Sequence, residues 1–234
     1  MIVKPHKFNS KWWGGNIGIL DIDNLQEESD ATAISEFEKF EWVEAKIPNS
    51  SDVSFERMHR LGFFYIDTQV SFRINLSSLE ESPSLNSLKV DSGRNKSFKI
   101  KTSDIREFSS DRFSRLPGCS QEMAQKRYSL WSNLLIESSP QYSLRIFSGE
   151  KIQGYFLAQD KSPGFELTLA MLSQNSSISG MLLYQKALLT YRDLGKRVGK
   201  ASFSVYNTPV MNIYSKLGAS FTGNETIWIR KTGF

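Results

Sequence analysis

Near the C-terminus, the run Asn207-Thr208-Pro209-Val210-Met211-Asn212-Ile213-Tyr214-Ser215-Lys216-Leu217-Gly218 sets one tyrosine inside a short helix with clear ends. Asn207 or Thr208 can cap it, Pro209 sits in the first turn where its missing N–H does no harm, and Gly218 ends it. A phenol with a pKa near 10 stays protonated at neutral pH, yet it can donate to a weakly basic leaving group, of which a thiolate of pKa about 8.5 is one example. The mismatch of about 1.5 units corresponds to about 2 kcal/mol. The plainer reading is that Tyr214 packs against Ile213 and Leu217.

A second candidate precedes the long apolar helix from about Gly180 to Leu194, where Gln174, Ser177, Ile178, Ser179, Gly180 and Met181 lie together. Unpaired N–H groups at a helix start favour phosphate, and serine can also serve simply as the cap. If either serine position required a positive φ, its side chain would be unfavourable. Arg112 beside Phe113 offers a fork that fits phosphate oxygens, against the alternative of a surface arginine next to a core ring. Glu166 is the sole carboxylate on its strand and reads as a solvated or paired group before a base. Cys119, with only His6 and His59 available, makes a poor nucleophile.

The elements that position these groups follow from periodicity. Phe98–Lys101 alternates as a strand, Gln121–Glu137 carries helical spacing, and Tyr142–Phe147 and Ile152–Ala158 form a hairpin across Ser148-Gly149-Glu150-Lys151. A strand Phe165–Met171 precedes the long helix, which Gly195 ends, and the strand Ala201–Tyr206 leads to the Tyr214 helix and a terminal strand ending near Arg230. Upstream, Glu44–Ile47 reads as a strand, Asp52–Leu61 as a short helix and Phe63–Ile74 as a long strand. Arg60-Leu61-Gly62 matches Lys216-Leu217-Gly218 at an offset of 156, with Met58 in the place of Tyr214 and Ser51 in that of Asn207. This predicts a catalytically silent N-terminal half-domain over 1–76, a Ser-rich linker over 77–97 and a catalytic domain over 98–234.

Composition sets limits. The chain has 234 residues, 39% of them hydrophobic, enough for a sizeable core, and its net charge of +4 favours an anionic ligand only weakly. Lys and Arg are too scattered for a nucleic-acid stripe. A lone cysteine rules out an intrachain disulfide and argues against a structural zinc. No signal peptide and no bilayer-spanning run of about 20 apolar residues is visible, so a cytoplasmic protein with no metal and no membrane is expected.

The element order and the Asn207–Gly218 section resemble the GNAT N-acetyltransferase superfamily. That resemblance implies an α/β (α+β) fold: a mixed, mostly antiparallel sheet flanked by helices and preceded by a smaller partial GNAT-like domain. It implies acetyl-CoA as cosubstrate, with Tyr214 protonating the coenzyme A thiolate, Asn207 binding through its amide, and Leu169, Ala170 and Met171 offering backbone groups to the pantetheine arm. Gln174 and Ser177 to Met181 would cradle the pyrophosphate, with Ser177 and Ser179 in the family's two glycine places. Within the superfamily, Val43–Pro48 with Leu61–Thr68, Asp111–Phe113 with Tyr128–Trp131, and Asn207–Arg230 are similar to dTDP-fucosamine acetyltransferases. The acceptor implied is an amino-sugar nucleotide, approaching beside Arg112 and Phe113, and its neutral amine attacks the thioester directly. A peptide or polyamine acceptor, or an acyl-CoA-binding module without catalysis, are the alternatives. The terminal strand and the half-domain each offer an edge for a homodimer.

Overall fold

The computed structural model describes residues 2–161 and 164–232. The elements run β1 (Val3–Pro5), α1 (Lys7–Trp13), β2 (Ile17–Leu20), α2 (Ile22–Gln26), α3 (Asp30–Phe37), β3 (Trp42–Pro48), α4 (Phe55–Arg60) and β4 (Phe64–Asn75) in the first part of the chain. Then come β5 (Leu88–Ser92), α5 (Gln121–Ser138), β6 (Ser143–Ser148), β7 (Lys151–Lys161), β8 (Gly164–Leu172), α6 (Gly180–Asp193), β9 (Val198–Ser204), α7 (Thr208–Lys216) and β10 (Ser220–Lys231). All ten strands join one sheet in the order β1-β2-β3-β10-β4-β9-β8-β7-β6-β5. Only β2–β3 and β8–β9 pair in parallel, so the sheet is mixed and mostly antiparallel with helices packed on it, as expected.

The terminal strand is not an edge. β10 lies between β3 and β4, so residues from both ends of the chain share the centre of one sheet, and the edges are β1 and β5. Two strand–helix–strand units interlock here: β3-α4-β4 encloses β10, and β9-α7-β10 encloses β4. Their registers coincide under the offset of 156. Pro48 pairs with Glu225 and Ser204 with Gln69, and the match holds down to Trp42 with Lys231 and Val198 with Asn75. Even the bulges correspond, since the β4–β10 register leaves Ile66 extra on one strand and Thr222 extra on the other. Gly62 and Gly218 both turn the chain out of their helices at φ of 80° and 78°, a conformation that suits glycine.

Two further sequence expectations change. The segment 77–97 is packed structure: Leu79, Leu85 and Leu88 are buried and β5 pairs with β6. Its serines supply turns while the sparse leucines reach the core. The strand expected at Phe98–Lys101 does not form. There the Asn133 amide and Ser129 hydroxyl of α5 satisfy the Ile100 backbone at 2.7–3.0 Å, as a partner strand otherwise would. Trp12 is buried, donating its indole N–H to the Met123 carbonyl at 2.8 Å. No helix among the described residues is long and apolar enough to cross a membrane.

Candidate functional site

β8 and β9 stay paired for only two residues, Phe165 with Gly199 and Glu166 with Lys200, and then part. Against β7, Leu169 opposes Leu157 and Leu167 opposes Ala158, which leaves Thr168 as a bulge where the strands diverge. The gap opens into a cavity of about 320 Å³ bordered by Leu167–Ala170 of β8, Ala201–Ser204 of β9, Asn207, Val210 and Tyr214 of the following segment, and Phe72 of β4. Beyond Glu166 the β8 backbone has no β9 partner among the described residues. An unpaired strand of this kind can accept an extended amide-containing chain by main-chain hydrogen bonds.

Tyr214 sits at the wall of this gap and is 3% exposed. Its ring packs on Phe72 with centroids 4.0 Å apart, edge-on to Tyr184 at 5.2 Å and stacked with Phe203 at 6.0 Å. It therefore belongs to the core as the plainer reading held, while still bordering the cavity. Burial, with smaller contributions from Tyr184 and Tyr191, pushes the phenol well above its ordinary value. The proton-transfer mismatch is thus wider than the figure for an ordinary tyrosine, which favours hydrogen-bond donation over outright loss of the proton. Asn207 caps α7, its Oδ1 accepting from Val210 N–H at 3.3 Å, and borders the same cavity.

The loop before α6 is arranged differently from its sequence reading. Gln153, 1% exposed on β7, takes the Ser177 N–H at 2.8 Å and the Ser177 hydroxyl at 3.2 Å, so this amide is already engaged. Ser179 caps α6 with extended backbone at φ −73°, and no non-glycine residue described has a positive φ. The steric objection to serine at the two glycine places does not arise. Gly180 faces Ile213 of α7, where an added Cβ would lie 3.1 Å from its Cδ1, so the start of α6 adjoins the Tyr214 helix.

Arg112 is not a free fork. Its Nε and Nη2 hold the two oxygens of Glu44 at 3.1 and 3.3 Å, and Glu44 is 1% exposed. Burial alone would raise the Glu44 carboxyl, but Arg112, Lys46, Arg127 and His6 together hold it below the usual range. Phe113 is core, 3% exposed, with the Arg127 guanidinium 3.8 Å from its centroid. Arg127, buried and bordering the cavity, bonds Asn9 Oδ1 at 3.3 Å and has no carboxylate partner among the described residues; burial pushes its pKa down to about 10. Glu166 pairs with Lys161, the solvated alternative. Burial pushes the Cys119 thiol up to about 11, unsuited to nucleophilic work.

Sequence reading passed over Asp67. This β4 carboxylate is 1% exposed and borders the cavity. The bulge at Ile66 lets Ile66 and Asp67 be buried in succession, breaking the alternation a regular strand would impose. Its Oδ1 accepts from the Ser204 hydroxyl at 2.8 Å and lies 3.6 Å from Arg115 Nη2, while Oδ2 is buried without a hydrogen-bond partner. A lone acid in the apolar run Phe63-Phe64-Tyr65-Ile66-Asp67 was the available signal.

No protein-family model matches the chain, and no curated protein matches it. Among solved structures it is similar to a GCN5-related N-acetyltransferase from Sphaerobacter thermophilus, with a TM-score of 0.54, 14% identity, and coverage of 81% of this chain and 59% of that one. A GCN5-related N-acetyltransferase from Kribbella flavida gives 0.52 at 9% identity, covering 94% and 81% of the two chains. The fold is that of the GCN5-related N-acetyltransferases. A GCN5-related glucosamine N-acetyltransferase region of a fungal multi-domain GH3 beta-N-acetylglucosaminidase also resembles it, at a TM-score of 0.53 and 10% identity, covering 85% of this chain and 26% of that one. Nothing in these likenesses singles out the dTDP-fucosamine acetyltransferases.

On this GCN5-related fold the sequence candidates divide by position. Leu169, Ala170, Asn207, Tyr214, Arg112 and Phe113 border one cavity. Met171 turns its side chain away, into the core under α5 beside Tyr128 and Leu135. Gln174 and the Ser177–Met181 run lie outside the cavity lining, at the start of α6.

Proposed function

We propose that the chain is an acetyl-CoA-dependent N-acetyltransferase whose acceptor is the amine of an amino sugar, carried on a nucleotide. The observation that carries this reading is the parting of β8 and β9 beside Tyr214, which offers one free strand and one phenol to the same cavity. The pantetheine arm would lie along Leu169–Met171, with Asn207 across the gap. The pyrophosphate would meet the N–H groups of Ile178 to Met181 at the start of α6, helped by the positive end of the helix. Backbone N–H groups at the Thr168 bulge would polarise the thioester carbonyl, and Tyr214 would donate to the departing sulfur. Because Arg112 is held by Glu44, Arg127 is the better partner for an acceptor phosphate, and Arg112 and Phe113 would shape the wall. In the same reading residues 1–76 are a partial copy of the catalytic half, with Met58 of α4 where that half carries Tyr214.

A peptide or polyamine acceptor is the second reading, supported by the acids Asp67 and Glu107 at the cavity. The test is release of thiol from acetyl-CoA against amino-sugar nucleotides, peptides and polyamines, alongside thermal stabilisation by coenzyme A. Activity confined to amino sugars is expected. Turnover with polyamines alone would overturn the acceptor assignment, and stabilisation without turnover would leave a binding module.

A further inference from the structure

Asp67 belongs to the half of the molecule expected to be silent, yet it borders the cavity of the other half. The interlocking of strands explains this. Because β4 lies between β10 and β9, its side chains reach the gap beside β9. The Tyr206 N–H donates to the Ser204 hydroxyl at 3.2 Å, which directs that hydroxyl's own proton onto Asp67 Oδ1. One carboxylate oxygen is thereby fixed in place, and the other, Oδ2, is left without a partner. Buried polar atoms are rarely left so without a reason. A buried carboxylate with one oxygen held and one free, in the same cavity as a buried phenol, has the form of a proton acceptor sharing a site with a hydrogen-bond donor.

Resting on the acyl-transfer reading above, we propose that Asp67 is the general base that deprotonates the acceptor, with Ser204 as its positioning residue. An acceptor ammonium gives one proton to Asp67, and the amine nitrogen then bonds to the thioester carbonyl carbon. The carbon–sulfur bond breaks with its electron pair on sulfur, which accepts a hydrogen bond from the Tyr214 hydroxyl. The second nitrogen proton passes to that sulfur, and Asp67 releases its proton to solvent. One ammonium and one thioester thus yield one amide, one thiol and one free proton.

The charges facing Asp67 fit this role. Burial pushes its pKa up, while the Ser204 hydrogen bond, the Arg115 charge, the Thr68 backbone N–H and then the Arg112 charge oppose that rise. Tyr65, two residues before it on β4, is raised chiefly by burial and in small part by Asp67 itself. From β10 the residue opposite is the apolar Ile227. Arg115 also stacks on Tyr206 at 3.6 Å, which holds its positive charge 3.6 Å from the carboxylate in a long ion pair.

The test compares Asp67→Asn, Ser204→Ala and Glu166→Gln with the wild type, measuring thiol release across pH with whichever amine of the panel is turned over. Asp67→Asn should lower kcat by about 10²- to 10⁴-fold and abolish the acid limb of the profile. Ser204→Ala should keep the limb but move it to higher pH, since the hydrogen bond that lowers the Asp67 pKa is gone; a merely structural role would not move it. Glu166→Gln should resemble the wild type. Stabilisation by coenzyme A, unchanged in Asp67→Asn, shows that this variant folds and binds. A variant that binds coenzyme A and keeps turnover within about twofold, or a limb lost in Glu166→Gln instead, overturns the assignment while leaving acyl transfer intact. A wild type inactive toward every amine overturns the acyl-transfer reading itself and the assignment with it.

Discussion

The corner at α4 and the corner at α7 have the same backbone plan and different contents. Each is a strand, a short capped helix, a left-handed glycine and a long bulged strand, in registers that superimpose under one offset. At α7 the position facing the core carries Tyr214, beside a gap where β8 and β9 part. At α4 it carries Met58, fully buried among Phe37, Phe63 and Leu61. Their neighbouring strands differ too: β3 bears Glu44, locked to Arg112, where β9 bears the exposed Lys200. One plan therefore does two jobs. The α4 corner anchors, and the α7 corner leaves a core residue at the lip of a cavity.

Breaking the anchor should cost most. Arg112→Ala strands the buried Glu44 charge, and a loss of about 3–5 kcal/mol in denaturant unfolding is expected. The pH dependence has a defined sign: the Glu44 carboxyl is lowered in the folded state, so its contribution is present above the ordinary carboxylate pKa and fades as pH falls toward the folded value. Wild-type stability should drop on acidification through that window. A profile that stays flat in it would mean the pair contributes nothing.

Next in size, Met58→Ala should remove about 2–5 kcal/mol of stability through the cavity it creates, with turnover per folded molecule unaltered. Tyr214→Phe should do the reverse. It should cost about 10²-fold in kcat, or about 2.7 kcal/mol, with unfolding little changed, because the ring packing survives and only the hydroxyl goes. If both substitutions affected stability alone, the two corners would be equivalent and the assigned difference between them would be wrong. Ser179→Ala, the smallest change, should cost about 1 kcal/mol through the lost α6 cap. It should weaken coenzyme A only slightly, because the backbone N–H groups remain.

The contrast between corners also shows what a sequence discloses. Long periodic elements such as α5 and α6, and the caps around Tyr214, were readable because local spacing decides them. β1, α1, β2, α2 and α3 are three to eight residues long and were not assigned, since so few residues carry too little pattern. The engagement of the Arg112 fork by Glu44, 68 residues away, is seen only once β3 is placed. Asp67 required still more: knowing that β4 neighbours β9, and that a bulge at Ile66 turns an acid inward. Residues whose role depends on which strand sits beside which are hidden from local pattern.

The position of β10 has a consequence for how the protein is made. It closes the gap between β3 and β4, yet it pairs Glu225 with Pro48 and so joins positions far apart along the chain. Contacts of such long separation slow folding, because the intervening chain must be ordered before they form. A nascent chain that has released its first half leaves one edge of β3 and both edges of β4 unpaired, and each can template association with another copy. The window of greatest exposure to aggregation therefore lasts until β10 has been made and fills the middle of the sheet.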